Sequence, residues 1–267
     1  MTTVIHTTFD TMGTTAIVTM GSEHAWRAAS LRSQMVDVCS WFDQTYSTYQ
    51  PDSTVQKLRG SGIERSSWPI HVQDMAAEGE KWEFATSGYF TMTSPSGQWD
   101  PTGLVKAKSI ESLAILLQAQ GITEFSVNIG GDIAYSDFLS SSELSRVAIS
   151  RPTSIATAAP APLMVLDLAR GSHRAVATSG TAERGEHIWS TSDTGVAQAT
   201  VVAANIALAD IWATALVAGG SDALELFIDQ KVGEAIVMTR DHHMIITAGI
   251  STLLAETATH HELLRVS

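Results

Sequence analysis

The segment Asp210-Ile211-Trp212-Ala213-Thr214 sits inside an apolar run from Ala203 to Val217. On a helix, residues four apart share a face about one turn apart, so this carboxylate and hydroxyl can converge on one hard cation. The same spacing also occurs where a Thr bonds back to its own helix and an Asp faces solvent. Ala207, Leu208, Ala209, Ile211, Trp212, Ala213, Ala215, Leu216 and Val217 surround the pair, which predicts burial all round the helix. A buried carboxylate needs a partner, so other polar groups must meet this helix inside the core.

At 267 residues the chain is long enough to bury such a core as one domain, expected over residues 1–267. Its 16 Lys and Arg against 28 Asp and Glu give a net charge of −12, which argues against nucleic acid as a partner. A polyanionic small ligand would need a cation locally. Cys39 is the only cysteine, which excludes an intrachain disulfide and a Cys-rich zinc site, and its apolar neighbours Val36, Val38 and Phe42 predict a small buried side chain. Met1 to His6 lacks the pattern of a secretory signal, and no later run is expected to reach membrane-spanning length. The expectation is a cytoplasmic protein without membrane insertion.

Ile5, Ile17, Val18 and Met20 around the turn-like Asp10 to Thr14 predict an opening strand pair. Three- and four-residue spacing of apolar positions predicts a helix from about Glu23 to Tyr46, broken by Pro51-Asp52-Ser53. A second helix is expected from His71 to Ser87, stopped by Gly88, and a third from Leu104 to Gln120, stopped by Gly121. Residues 91–102 between them predict a loop. Strands are expected at 125–129, 145–149, 162–168 and 174–178, with a surface connection from Pro152 to Pro162. The apolar helix at 203–218 ends at Gly219-Gly220, a short helix follows at 223–229, and Val232 to Met238 with Met244 to Thr247 close as a hairpin. The stretch from Thr257 to Ser267 is expected to be a peripheral tail, although its apolar residues could dock it. Helices and strands are interspersed without strict alternation, so the fold expected is α+β, with a largely antiparallel sheet and packed helices.

Three further clusters could carry chemistry. Asp100-Pro101-Thr102-Gly103-Leu104-Val105-Lys106 reads either as an ordinary Asp-Pro turn into a helix or as a phosphate site, where free N–H groups and Lys106 meet an anion. Asn128-Ile129-Gly130-Gly131-Asp132 is a strand end with paired glycines and an acid, as at a bulge or turn. Ala177-Thr178-Ser179-Gly180 is followed by Glu186-His187-Ile188, where His187 could act as acid, base or donor near neutral pH. Ser179 has no hydrolase-like His and Asp arrangement, Gly13-Thr14-Thr15 is no P-loop, and the His242-His243 and His260-His261 pairs lack zinc-ligand spacing.

Taken in order, these clusters resemble the FAD:protein FMN transferases, the ApbE-type flavin transferases. The resemblance runs through Met12-Gly13-Thr14, Ser47-Thr48-Tyr49 with Pro51-Asp52-Ser53, and Gly88-Tyr89-Phe90. It continues through Asp100 to Lys106, Asn128 to Asp132, Ala177 to Gly180, His187-Ile188 and Ala209 to Leu216, and so spans about residues 10–220.

The resemblance implies a Mg²⁺-dependent enzyme that splits FAD at its pyrophosphate, joins FMN to a Thr or Ser hydroxyl of an acceptor protein, and releases AMP. It implies Asp210, Thr214 and the Gly103 carbonyl as metal ligands, and Met12, Tyr49, Tyr89, Phe90, Thr91, Asp100, Lys106 and Ile188 as FAD contacts. Lys106 and His187 are the expected catalytic groups, one adding positive charge and the other serving the acceptor hydroxyl or the phosphate. The same cleft would also serve an FAD pyrophosphatase giving free FMN and AMP, or a flavin-binding protein without turnover. This chain departs from the family pattern at Thr91, at Ala107-Lys108 and at Ser190-Thr191.

Overall fold

The computed structural model describes residues 3–59, 61–139, 142–152, 162–180, 193–257 and 263–266. Its strands are β1 (Val4–Thr11), β2 (Thr14–Gly21), β3 (Phe125–Ile129), β4 (Asp132–Tyr135), β5 (Arg146–Ile149), β6 (Met164–Asp167), β7 (Ala175–Gly180), β8 (Val196–Ala203), β9 (Gly233–Thr239), β10 (Met244–Thr247), β11 (Leu254–Thr257) and β12 (Leu263–Val266). The helices are α1 (Ala28–Tyr46), α2 (Thr54–Arg59), α3 (Ile70–Ala85), α4 (Thr102–Ala119), α5 (Ser142–Ser145), α6 (Ile206–Asp229) and α7 (Ile250–Leu253). Nine strands form one sheet in the order β1-β2-β3-β4-β7-β8-β9-β10-β12, and β11-β6-β5 form a second. Every pairing is antiparallel except β10 with β12, so the expected α+β architecture is the one observed.

Period-two alternation divides the large sheet between two cores. Ala175, Ala177, Ala199, Val201, Ala203, Ala235 and Val237 point into a core shared with α1, α4 and α6. Val176, Val202, Ile236 and Met238 point the other way, towards residues of β5, β6 and α7. The helix-facing residues of β7 and β8 are small, which lets α6 lie close against the strands. Asp132 and Ser179 belong to this helix-facing set by the same alternation.

Local chemistry fixes the boundaries. Met12 and Gly13 take φ of 47° and 73°, the double left-handed geometry that suits a two-residue hairpin, and Thr11 pairs with Thr14 across them. Helix α4 closes on Gly121 at φ 72°, where Ile122 N–H bonds the Leu117 carbonyl and Gly121 N–H bonds that of Gln118, a Schellman end. Asn205 caps α6 by accepting from the Leu208 N–H at 3.0 Å. At Gly220, φ 58° and ψ −129° interrupt the helix, so the two expected helices on either side of the glycines are two arms of one kinked element.

Several expectations need correction. The apolar run expected as helix from 203 begins in strand: β8 ends at Ala203 and α6 starts at Ile206. Strand β8 carries no strand signature in the sequence, because a strand buried on both faces shows no alternation. The first helix opens as a 3₁₀ turn over Ser22–Arg27 before α1. Helix α2 forms directly after the expected break at Pro51-Asp52-Ser53, where Ser53 and Gln56 are a Ser-x-x-Gln start signal and the Gln56 N–H bonds Ser53 Oγ at 3.1 Å. Within the expected tail, Leu263–Val266 docks as β12 along β10, and β11 ends at the tail's first residue, Thr257. Helix α6, counted across the Gly220 kink, is by length and composition alone apolar enough to cross a membrane, and it lies as a core helix on β7 and β8.

Candidate active site

Helix α4 starts where the loop 86–101 folds back under it. Asp100 Oδ1 accepts from Thr102 N at 3.0 Å and Thr102 Oγ1 at 2.6 Å, while its Oδ2 lies 3.4 Å from Arg59 Nη2. Arg59 also donates from Nε to the Trp99 carbonyl at 2.7 Å, so α2 pins this turn in place. Gly103 follows in the first turn, and a Cβ there would stand 3.0 Å from Cε2 of Phe90. Phe90 is 2% exposed and its ring is the floor beneath that turn. A side chain at 103 would press on the Phe90 ring, so glycine suits this close approach.

One turn along α4, Lys106 enters the interior. Its Nζ is ion-paired with Asp132 Oδ2 and stands 3.8 Å from Asp210 Oδ1. Asp132 is fully buried and Asp210 is 4% exposed. Asp132 opens β4, and its Oδ1 accepts from the Thr178 N–H of β7 at 3.0 Å, continuing the β4–β7 pairing beyond its last backbone partners. Asp210 faces α4 from α6. Four residues on, Thr214 Oγ1 meets Ser179 Oγ at 3.1 Å, so the Asp–Thr face of α6 is directed inward at α4 and β7. The burial of Asp210 and the Ser179 contact of Thr214 decide against a solvated Asp and a Thr turned back on its own helix.

The other expected residues take the following places. Met12 sits at the β1–β2 turn beside a hollow of about 420 Å³ lined by Asp10 to Thr15, and its Sδ receives Ser109 Oγ of α4 at 3.7 Å. Tyr89 packs on Gly219, where a Cβ would come 2.4 Å from the ring, so it touches α6 at its kink. Thr91 Oγ1 accepts from Thr93 N at 3.1 Å in the loop before Asp100. Tyr49 lies between α1 and α2 with 71% exposure. His187, Ile188 and Ser190-Thr191 lie outside the described residues. Lys108, one of the departures from the family pattern, joins Glu78 of α3 at 3.1 Å and Glu111 at 2.8 Å. Burial works against its charge, but the two carboxylates outweigh that and raise its pKa. Ala107 beside it is fully buried, so the altered pair sets one side chain in the core and the other in ion pairs with α3 and α4.

Sequence alone did not assign Asp132, Ser179 or Arg59 to the site. Asp132 and Ser179 stood in clusters already singled out, but only pairing of β4 with β7 puts them on the face that α4 and α6 cover.

A sequence profile of the ApbE family matches residues 94–237, a span that contains Asp100, Gly103, Lys106, Asp132, Ser179, Asp210 and Thr214. Among curated proteins, none matches the chain by sequence. Solved structures show the same fold. The flavin transferase ApbE from Vibrio cholerae superposes with a TM-score of 0.76 at 18% identity, over 95% of this chain and 100% of that one. The Pseudomonas stutzeri flavinyl transferase ApbE in its apo form gives 0.74 at 18%, over 95% and 98%. The ApbE protein from Thermotoga maritima gives 0.76 at 14%, over 95% and 100%. Because the profile matches more than half of the 267 residues, the chain belongs to the ApbE family.

Proposed function

We propose that this chain is an FAD:protein FMN transferase that depends on Mg²⁺. The observation that carries the reading is the convergence of Lys106, Asp132, Asp210, Thr214 and Ser179, from two helices and two strands, on one partly buried polar site in an ApbE-family chain. The donors there are carboxylate and hydroxyl oxygens, the set preferred by a hard divalent cation, and the two carboxylates face a single ammonium among the described residues. The carboxylate of Asp210 and the hydroxyl of Thr214 fit Mg²⁺, which they would hold together with the Gly103 carbonyl, the third ligand that the family resemblance implies. When bound, the cation would neutralise charge on the pyrophosphate and make phosphorus more electrophilic.

The chain's own groups supply the rest. Lys106 brings positive charge to the diphosphate from one turn into α4. Asp100 fixes that turn, and Phe90 supports it from below. Met12, Tyr49, Tyr89 and Thr91 are assigned as further FAD contacts, with Ile188. The acceptor hydroxyl oxygen bonds to the FMN phosphorus, the bond to the AMP oxygen breaks, and the hydroxyl proton passes to a base, the role assigned to His187.

The test combines purified protein, FAD and MgCl₂ with and without an acceptor protein that presents a Thr, following AMP release and acceptor mass. AMP formed only with acceptor, with an FMN-sized mass gain, is the expected result. AMP formed equally without acceptor identifies a pyrophosphatase instead, and FAD bound with no AMP under either condition identifies a flavin-binding protein.

A further inference from the structure

We infer that Asp132 is a positioning residue that holds the Lys106 ammonium off Asp210, so that Asp210 can serve a divalent cation. The inference rests on the metal-dependent reading above and deepens it.

The geometry is asymmetric. Lys106 Nζ is in close contact with Asp132 Oδ2 but 3.8 Å from Asp210 Oδ1, beyond the length of a charge-assisted hydrogen bond. Its side chain is 14% exposed, so the ammonium needs an anionic partner inside the protein. Asp132 is an unusually fixed partner. Its other oxygen is tied to the Thr178 N–H across the β4–β7 pairing, and the residue is wholly buried. Asp210 instead sits on the opposing helix, and a movement of about 1 Å would bring the ammonium into full contact with it. An ammonium in that position occupies the carboxylate that a metal must use. Asp132 prevents this by offering Lys106 a better-placed counter-charge, anchored to the sheet rather than to α6.

Asp132→Asn isolates the charge, because the side-chain carbonyl still accepts from Thr178 while the counter-charge is lost. Mg²⁺ binding is measured calorimetrically with MgCl₂ alone, without FAD, on folded wild type, Asp132→Asn, Lys106→Gln and the double variant. The expected result is at least about tenfold weaker Mg²⁺ binding by Asp132→Asn, the size of effect typical of residues that orient metal ligands. Lys106→Gln on top should restore binding to within about threefold of wild type, since no ammonium is left to compete. Lys106→Gln alone should bind Mg²⁺ more tightly than wild type, which keeps the idea testable if Asp132→Asn does not fold.

Unchanged affinity in Asp132→Asn overturns the inference, as does a loss that the double variant fails to recover, because a merely structural role would not be rescued by removing Lys106. Weaker Mg²⁺ binding by Lys106→Gln also overturns it. Wild type that binds no Mg²⁺ overturns the metal-dependent reading itself, and this inference with it.

Discussion

Ser179 Oγ on β7 and Thr214 Oγ1 on α6 meet at 3.1 Å across the interface between sheet and helix, 35 residues apart in the chain. This contact fixes the Thr214 rotamer on the face that also carries Asp210. Ser179→Ala removes one hydrogen bond, a change of about 1 kcal/mol. The expected outcome is a several-fold rise in the Mg²⁺ concentration for half-maximal AMP release with kcat little changed, read from Mg²⁺ titrations at saturating FAD and acceptor.

Asp210→Ala should abolish Mg²⁺-dependent AMP release while leaving the protein folded, because Lys106 keeps its ion pair with Asp132. Circular dichroism should match wild type, and calorimetry should show Mg²⁺ binding at least about tenfold weaker. Normal turnover by the folded variant would remove Asp210 from the metal site.

Gly220 combines φ 58° and ψ −129° with a near neighbour: a Cβ there would lie 3.0 Å from Cβ of Thr194, whose Oγ1 bonds the Val217 carbonyl at 2.8 Å. An L-residue is therefore strained both by its backbone and by its contact. Gly220→Ala should cost about 2–4 kcal/mol, seen as a lower urea midpoint with an unchanged slope.

Cys39 is buried, which raises its thiol pKa from 9.0 to about 11, an effect that a hydrogen bond with Thr11 partly opposes. The folded state therefore disfavours the thiolate relative to the unfolded chain. The resulting stability is fully present below the unfolded value of 9.0 and is lost as pH rises towards 11. Native protein should resist thiol reagents at pH 8, and the fall in urea midpoint between pH 8.5 and 10.5 should be smaller in Cys39→Ala than in wild type. Tyr46, raised by burial to about 12, acts in the same direction at still higher pH.

The strongest periodic and turn signals in this chain act locally, so the amino-acid order alone determined them. The Met12-Gly13 hairpin, the Gly121 helix end and the break at Gly219-Gly220 follow from backbone freedom at single residues, and the antiparallel α+β class follows from the way these elements alternate. The four-residue spacing of Asp210 and Thr214 likewise put both on one face before any packing was known. What that face meets was decided only by the tertiary structure. Strand β8 escaped notice because double-sided burial erases the polar alternation that marks a strand, and with it went the sheet order that sets β7 beside α6. Asp132 and Ser179 reach the site through long-range pairing, in which a one-residue slip would turn each side chain to the other core, and no local pattern encodes that register.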